Sequence, residues 1–470
     1  MRVFWSLLIL TAVCCTSGRG AELPQPCAAP IHFRPKTGVL ADTIPFFWKG
    51  EYHVFYLHGS IGKVPWEHIV SRDLVHWQEL PAALLPDGEP NGFDGEHMFT
   101  GSVAEKDGTF HIFYTGWNPR NPKGRESICH ATSPDLIKWT KHPEDRIDPD
   151  GIHYFNGKDR DFRDAYVFYN AAEQQWWMVL CANSLQGGGP GLAVSKDLKT
   201  WKQVAALKAP NQECPDLFQI GDTWYLIGGD TYSFSKDLHG EFQKPPVQNV
   251  IDRPGVYAGK RMLDGKRHVW SGWVWDTSNL RDGGRAIWGG TQSLPRELYA
   301  GPDGQLYQRP VDEVAAVFTR SLFQLAAPRE VGAGLALPTP ANYMLQCKLR
   351  LDPQAALSIV MRRQADGGGG YSFVLRPKSQ EAELNGPGFR YNRRCTLDAA
   401  RPITFQAFVQ GTILECFVND QFAYTCRAYN FPQGSLALSV AGGKAQVLEL
   451  AIKTHAGDTA ATPVVLQSAK

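Results

Sequence analysis

Three acidic residues are marked by their position. Asp42 lies ten residues ahead of the aromatic run Tyr52-His-Val-Phe-Tyr56, Asp164 twelve ahead of Trp176-Trp-Met-Val-Leu180, and Glu213 eleven ahead of Trp224-Tyr-Leu-Ile227. Two further runs, Phe110-His-Ile-Phe-Tyr114 and Arg267-His-Val-Trp270, carry Thr100 and Tyr257 at the equivalent place, each ten residues ahead. Carboxylates that recur in register gather like charge, which costs Coulomb energy and marks a site kept for chemistry rather than stability. A carboxylate pair can act as nucleophile and acid/base at a glycosidic bond, and aromatic rings stack on sugar faces. A third carboxylate would hold the sugar hydroxyls. No Gly-x-Ser-x-Gly elbow, no phosphate loop leading into Lys-Ser/Thr and no Cys-x-x-Cys pair is present. Neither a metal site nor a cofactor is expected.

The elements that must position these residues repeat. Ser71-Arg-Asp73-Leu74-Val-His-Trp77 returns at Ser133 to Trp139 and at Ser195 to Trp201, 62 residues apart each time, with a worn copy at Ser235 to Leu238. Each is turn chemistry: the Asp caps local backbone while Leu and Trp dock inward. The five aromatic runs follow turns and read as buried strands. Their spacing, with no long helical periodicity between them, predicts an all-β chain whose residues 27–315 form a five-bladed β-propeller. The strand before each aromatic run would line the central channel, with Asp42, Thr100, Asp164, Glu213 and Tyr257 at its entrance. Beyond residue 320 the strands alternate and are cut by Gly, Pro and Asp, which predicts a β-sandwich over 325–455 and a flexible tail over 456–470.

Composition bounds the partners. The 470 residues carry 48 Lys or Arg against 47 Asp or Glu, a net charge of +1 that offers no field for nucleic acid. No later stretch approaches the ~20 apolar residues of a membrane span. At the start, Arg2, the apolar run Val3 to Cys15 and the small residues that follow read as a signal peptide over 1–21, so a secreted or periplasmic protein is expected. Eight cysteines remain after it, and export leaves both disulfides and buried thiols open. A carbohydrate partner and a monomer are expected.

The same residues resemble glycoside hydrolase family 32, the invertases, levanases and inulinases. Asp161-Phe-Arg163-Asp164-Ala165 is similar to the family's Arg-Asp-Pro motif, and Glu213-Cys214-Pro215-Asp216-Leu217-Phe218 to its Glu-Cys motif. Phe99-Thr100-Gly101-Ser102, Trp66 to Trp77, and Trp288 through Leu298 resemble three more family segments. The resemblance implies a propeller followed by a sandwich. It also implies Asp42 as nucleophile, Asp164 as transition-state stabiliser and Glu213 as acid/base, with retention of configuration at terminal β-fructofuranosyl residues. Trp66, Phe99, Thr100, Arg163 and Tyr257 are expected to bind substrate. The chain departs from the family at Ala41-Asp42-Thr43-Ile44-Pro45 and at Leu57-His58, where the family places Asn and Gln. Another furanoside, such as arabinan, and a non-catalytic sugar-binding propeller therefore stay open as alternatives.

Overall fold

The computed structural model describes residues 31–456, apart from 60–63, 122–123, 158, 248, 254, 333 and 338. The expected signal over 1–21 and the tail beyond 456 lie outside the described residues.

Five blades surround a channel. Blade 1 runs outward through Val39–Trp48, Glu51–Gly59, Trp66–Ser71 and Gln78–Leu84. Blade 2 is His97–Lys106, Thr109–Trp117, Glu126–Ser133 and Thr140–Lys141. Blade 3 is Phe162–Asn170, Gln175–Ala182, Gly191–Ser195 and Lys202–Val204. Blade 4 has three strands, Asp216–Ile220, Thr223–Gly228 and Thr231–Ser235, with single bridges to Gln243 and Val250 at its rim. Blade 5 starts with Val256–Leu263 and His268–Thr277; Ala286–Gln292 and Arg296–Ala300 share its third place, and Leu306–Pro310 is outermost. The ring closes where Leu40 pairs with Gly290.

The aromatic runs are the second strands. They are sandwiched between neighbouring blades, so they read as unbroken apolar stretches rather than alternating ones. Tyr52 to Leu57 and Phe110 to Gly116 are buried throughout. The repeated turn supplies the packing between blades. Trp139 of blade 2 meets Phe55 of blade 1 edge-on at 5.9 Å, and Trp201 of blade 3 meets Phe113 of blade 2 at 5.3 Å. Each turn places its leucine, Leu74, Leu136 or Leu198, at φ of 64°, 64° or 65°, which costs ~1–2 kcal/mol for a residue with a Cβ. All three leucines are buried. The preceding aspartate holds the geometry: Asp197 Oδ1 accepts from the Lys199 and Thr200 amides at 2.9 and 2.7 Å. Those two amides hold the Asp197 carboxyl at about 2.

The second unit is a β-sandwich. One sheet has the order Arg320–Gln324, Ala445–Thr454, Tyr343–Leu351, Ile403–Gln410, Ile413–Val418, Phe422–Arg427. The facing sheet runs Leu335–Leu337, Ser435–Ala441, Ala356–Arg363, Tyr371–Arg376, Glu381–Gly386, Phe389–Arg394. Phe373 sits 4.9 Å from both Phe405 and Tyr424 between them. Buried charge joins the two units. Arg296 of blade 5 bonds Asp252 at 2.7 Å and Glu415 of the sandwich at 2.5 Å, with all three side chains fully buried. Thr425 and His32 complete the set, on Asp252 and Glu415. Seven cysteines are described, and all are buried free thiols.

Replacing Asp197 with Ala removes the acceptor for two amides and leaves the left-handed Leu198 held only by its amide's bond to Ser195 Oγ at 2.9 Å. A loss of about 1–2 kcal/mol is expected, read as a lower urea midpoint at unchanged slope.

Candidate active site

The inner strands do not reach the channel mouth as regular strands. Register slips between Ala41 and Thr43, between Phe99 and Gly101, opposite Val179 and Cys181, and between Tyr257 and Lys260. Asp42, Asp164 and Ala258 have φ of 33°, 63° and 46° at these bulges, and Cys214, ahead of the blade 4 strand, has 52°. A bulge adds a residue and re-aims its side chain. At Asp42 and Asp164 the residue re-aimed is a carboxylate, and at blade 4 the turn at Cys214 follows Glu213.

The three acids meet at one mouth. Cys214 Sγ lies 3.9 Å from Asp42 Oδ2 and 3.7 Å from Asp164 Oδ2, and the Cys214 amide donates to Asp164 Oδ2 at 3.0 Å. Arg163 Nη2 donates to Glu213 Oε1 at 2.8 Å while its Nε lies 3.5 Å from Asp164. The Tyr257 hydroxyl donates to Glu213 Oε2 at 2.5 Å, and Trp273 Nε1 donates to Asp42 Oδ1 at 3.1 Å. Asp164 is 3% exposed, whereas the Glu213 side chain is 48% exposed.

Electrostatics separates them further. Burial, then the charges of Asp164 and Glu213, push the Asp42 carboxyl up to about 7 against the opposing pull of Lys260 and the Trp273 indole. Burial also raises Asp164, opposed by Arg163 and the Cys214 amide. Burial pushes the Cys214 thiol well above its usual range, so it stays an S–H. Burial and the Glu213 charge push the Tyr257 phenol up as well, which keeps it a donor. The arrangement offers one carboxylate fixed by donors, one exposed and in contact with two donors, and one poised between charged and neutral.

Two aromatic groups flank the mouth. On blade 5, Tyr257 stacks on Trp275 at 6.3 Å, and Trp273 lies 6.0–6.4 Å from Tyr257, Trp275 and Trp288. On blade 2, His97, Phe99 and Trp117 contact one another at 5.3–6.3 Å. Phe99, Arg163 and Tyr257 are partly exposed at the mouth with the three acids. Trp66 and Thr100 are not: both are 0% exposed. The Trp66 indole turns inward to donate to the Phe99 carbonyl at 3.0 Å, and the blade 2 bulge tucks Thr100 behind Phe99. They support the mouth instead of lining it. Trp273 and Trp275 are not reached by the strand spacing, because they lie past the start of the blade 5 run; the Trp-x-Trp pattern at Trp273-Val-Trp275 is the signal that points to them, while Trp288, on the third strand, begins one of the family-like segments. Among the described residues, His142, Glu144 and Asp145 place three potential metal ligands within 4.8 Å at the rim of blade 2. His142 already accepts from Thr132, and Asp145 already pairs with His130 at 2.8 Å.

The raised carboxyl has a consequence for stability. Folded Asp42 keeps its proton up to about pH 7, while an unfolded Asp loses it near 3.8. Between those values the folded state binds more protons, so stability falls as pH rises, and the loss is complete above about 7. Asp42→Asn removes this penalty. The variant should be more stable than the parent at pH 8, by on the order of 1–3 kcal/mol, and the difference should shrink toward pH 4. Urea unfolding at the two pH values measures it.

Comparison with known proteins agrees with this geometry. Residues 32–310 match the model of the Glycosyl hydrolases family 32 N-terminal domain. Among similar sequences, the raffinose invertase of Escherichia coli is 29% identical over 463 residues, covering 88% of this chain and 92% of its own. The sucrose-6-phosphate hydrolase of Escherichia coli is 27% identical over 455 residues, covering 86% and 89%. Among solved structures, fructan 1-exohydrolase IIa from Cichorium intybus superposes with a TM-score of 0.77 at 19% identity, over 92% of this chain and 98% of that one. The match takes in all five blades and all three acids at the mouth, and on it the chain belongs to glycoside hydrolase family 32.

Proposed function

We propose that the enzyme removes terminal β-fructofuranosyl residues from sucrose-like or fructan-like substrates with retention of configuration. Asp42 attacks the anomeric carbon, Glu213 protonates the leaving oxygen and then activates water, and Asp164 holds sugar hydroxyls as positive charge develops on the ring. One observation carries the assignment: three carboxylates at one mouth have three different surroundings, and each suits one role. Asp42 faces the Trp273 indole and, among the described residues, has no cationic partner within ion-pair distance, so its lone pairs stay available for attack. Glu213 is exposed enough to exchange a proton with water. Asp164 is fixed by an amide, which suits contacts that strengthen in the transition state. The names of the relatives, a raffinose invertase and a sucrose-6-phosphate hydrolase, support fructosides as substrates. The apolar segment expected to serve as a signal peptide over residues 1–21 favours action outside the cytoplasm.

Two measurements test the reading. Sucrose, raffinose, inulin, levan and arabinan are incubated with the enzyme and the first-formed anomer is followed by NMR. Fructose released as the β-anomer is expected; turnover of arabinan alone would replace the sugar, and an inverted product would replace the mechanism. Glu213→Ala is then compared on sucrose and on an aryl fructoside with a good leaving group. The sucrose rate should fall by about 10²–10⁴, the aryl rate by much less, and azide should restore part of the second step. Equal losses on both substrates with no azide effect would remove Glu213 from the acid/base role.

Arg163 generates a further expectation. It donates to Asp161 at 2.5 Å as well as to Glu213, and contacts Glu126 at 3.4 Å. A lysine keeps the charge but loses the fork that spans these groups. Arg163→Lys should lower kcat/KM about 10–100-fold with the fold intact; unchanged kinetics would reduce Arg163 to an ordinary ion pair.

A further inference from the structure

Lys260 is a buried cation that none of the proposed steps uses. It is 1% exposed and follows the blade 5 bulge on the inner strand. Its Nζ donates to the Gly101 carbonyl on the inner strand of blade 2 at 2.6 Å. Blade 1 lies between those two blades, so the side chain reaches past the strand that carries Asp42. On the far side Lys260 lines a cavity of about 220 Å³ with Ile44, Pro45, Ser102 and Tyr166, deeper in the channel than the acids. The ammonium is thus a floor between the carboxylate mouth and the lower channel.

We propose that Lys260 is a positioning residue which, without touching substrate, supplies the positive charge that lets Asp42 ionise beside Asp164 and Glu213. The groups that face this arrangement can be named blade by blade. Blade 1 gives Asp42, and blade 2 gives the Gly101 carbonyl to the ammonium. Blade 3 gives Asp164 with Arg163 beside it. Blade 4 gives Glu213, the Cys214 thiol and Asp216, and blade 5 gives Tyr257 and the Trp273 indole. Arg163 is engaged by Glu213, Asp161 and Glu126. Asp216 sits 3.4 Å from Arg261, so that pair is largely self-compensating. Among the described residues, Lys260 is the cation near Asp42 whose ammonium is hydrogen-bonded to a neutral carbonyl and not to a carboxylate, so no acid in contact with it offsets its charge.

The inference rests on reading Asp42 as the nucleophile, and the test has one arm that needs no turnover. In the first arm, kcat/KM for sucrose and for an aryl fructoside is measured from pH 4 to 9. Lys260→Met should move the acid limb up by about one pH unit, a roughly tenfold loss on that limb, while the curves converge at high pH. Lys260→Arg should keep the parent limb. A uniform loss at every pH, with the limb in place, would make Lys260 purely structural and overturn the proposal. In the second arm, thermal unfolding is followed for the parent, Asp42→Asn, Lys260→Met and the double variant. Above about pH 7 Asp42→Asn should raise the midpoint more in the Met background than in the parent, because there the Asp42 penalty goes on growing to a higher pH, while below about 7 the two rises should match. An equal rise in both backgrounds above about pH 7 would overturn the proposal whatever the substrate is. If Lys260→Met does not fold, Lys260→Gln, whose carboxamide can still donate to Gly101, takes its place in both arms.

Discussion

Like charge crowded at the mouth of one channel is the constraint on which the rest of the molecule turns. The charges of Asp164 and Glu213 raise the cost of ionising Asp42, and Glu213 does the same to Asp164; Asp164 is buried and Asp42 partly so. A single flexible loop would relieve that strain by moving apart. Here the acids come from three blades whose middle strands are buried on both faces, so none can retreat without unpacking a sheet. The bulged, left-handed backbone at Asp42 and Asp164 is held the same way. Strain of this kind, ~1–3 kcal/mol per residue, persists only where the surroundings over-determine it.

The sandwich contributes to that rigidity at a distance. Arg427, on its edge strand, donates to the carbonyls of Val274 and Trp275 at 3.0 and 3.1 Å and pairs with Asp276 at 2.7 Å. Those residues continue the strand that carries Trp273, the donor to Asp42. Arg34 reaches the same Asp276 at 2.9 Å. The Arg296, Asp252 and Glu415 cluster sits at the other end of blade 5 and is sealed from water. Losing one partner from such a cluster leaves a buried charge exposed to its full desolvation cost. The second unit thus works as a clamp on blade 5, the blade with the largest aromatic surface at the mouth.

The repeats carried most of this into the sequence. Middle strands are the most regular part of a blade because both faces are buried, so their aromatic runs and the Ser-x-Asp-Leu turns are written openly. Counting back from them reaches the channel mouth at all five blades, and it finds the acids because each blade spends a near-constant number of residues on its inner strand. What the count cannot resolve is direction at a bulge. Thr100 is the added residue of its bulge as Asp42 is of its own, yet it lacks the left-handed backbone of Asp42 and is buried behind Phe99. Trp66, expected from the family resemblance to bind substrate, is buried and donates to the Phe99 carbonyl instead. Lys260 was invisible for a different reason: a lone lysine in a strand has no period, and only the assembled ring shows that it spans the channel.

On the proposed reading, three chemically similar groups perform three tasks because the fold gives each a different access to water and to donors. Asp164 has the least of the first and a fixed share of the second, through the Cys214 amide and the Arg163 guanidinium. A group so held cannot swing to attack or trade protons quickly, yet it presents a constant field to a ring that becomes positive. Glu213 is the reverse: its carboxyl is open to solvent, while Arg163 and Tyr257 fix its orientation through both oxygens. Asp42 lies between them, with one indole donor and a thiol against its other oxygen. Burial and the neighbouring acids leave its charge poorly stabilised, and a poorly stabilised anion gains by forming a bond. The same lack of partners that makes Asp42 costly to the folded protein makes it the one suited to attack.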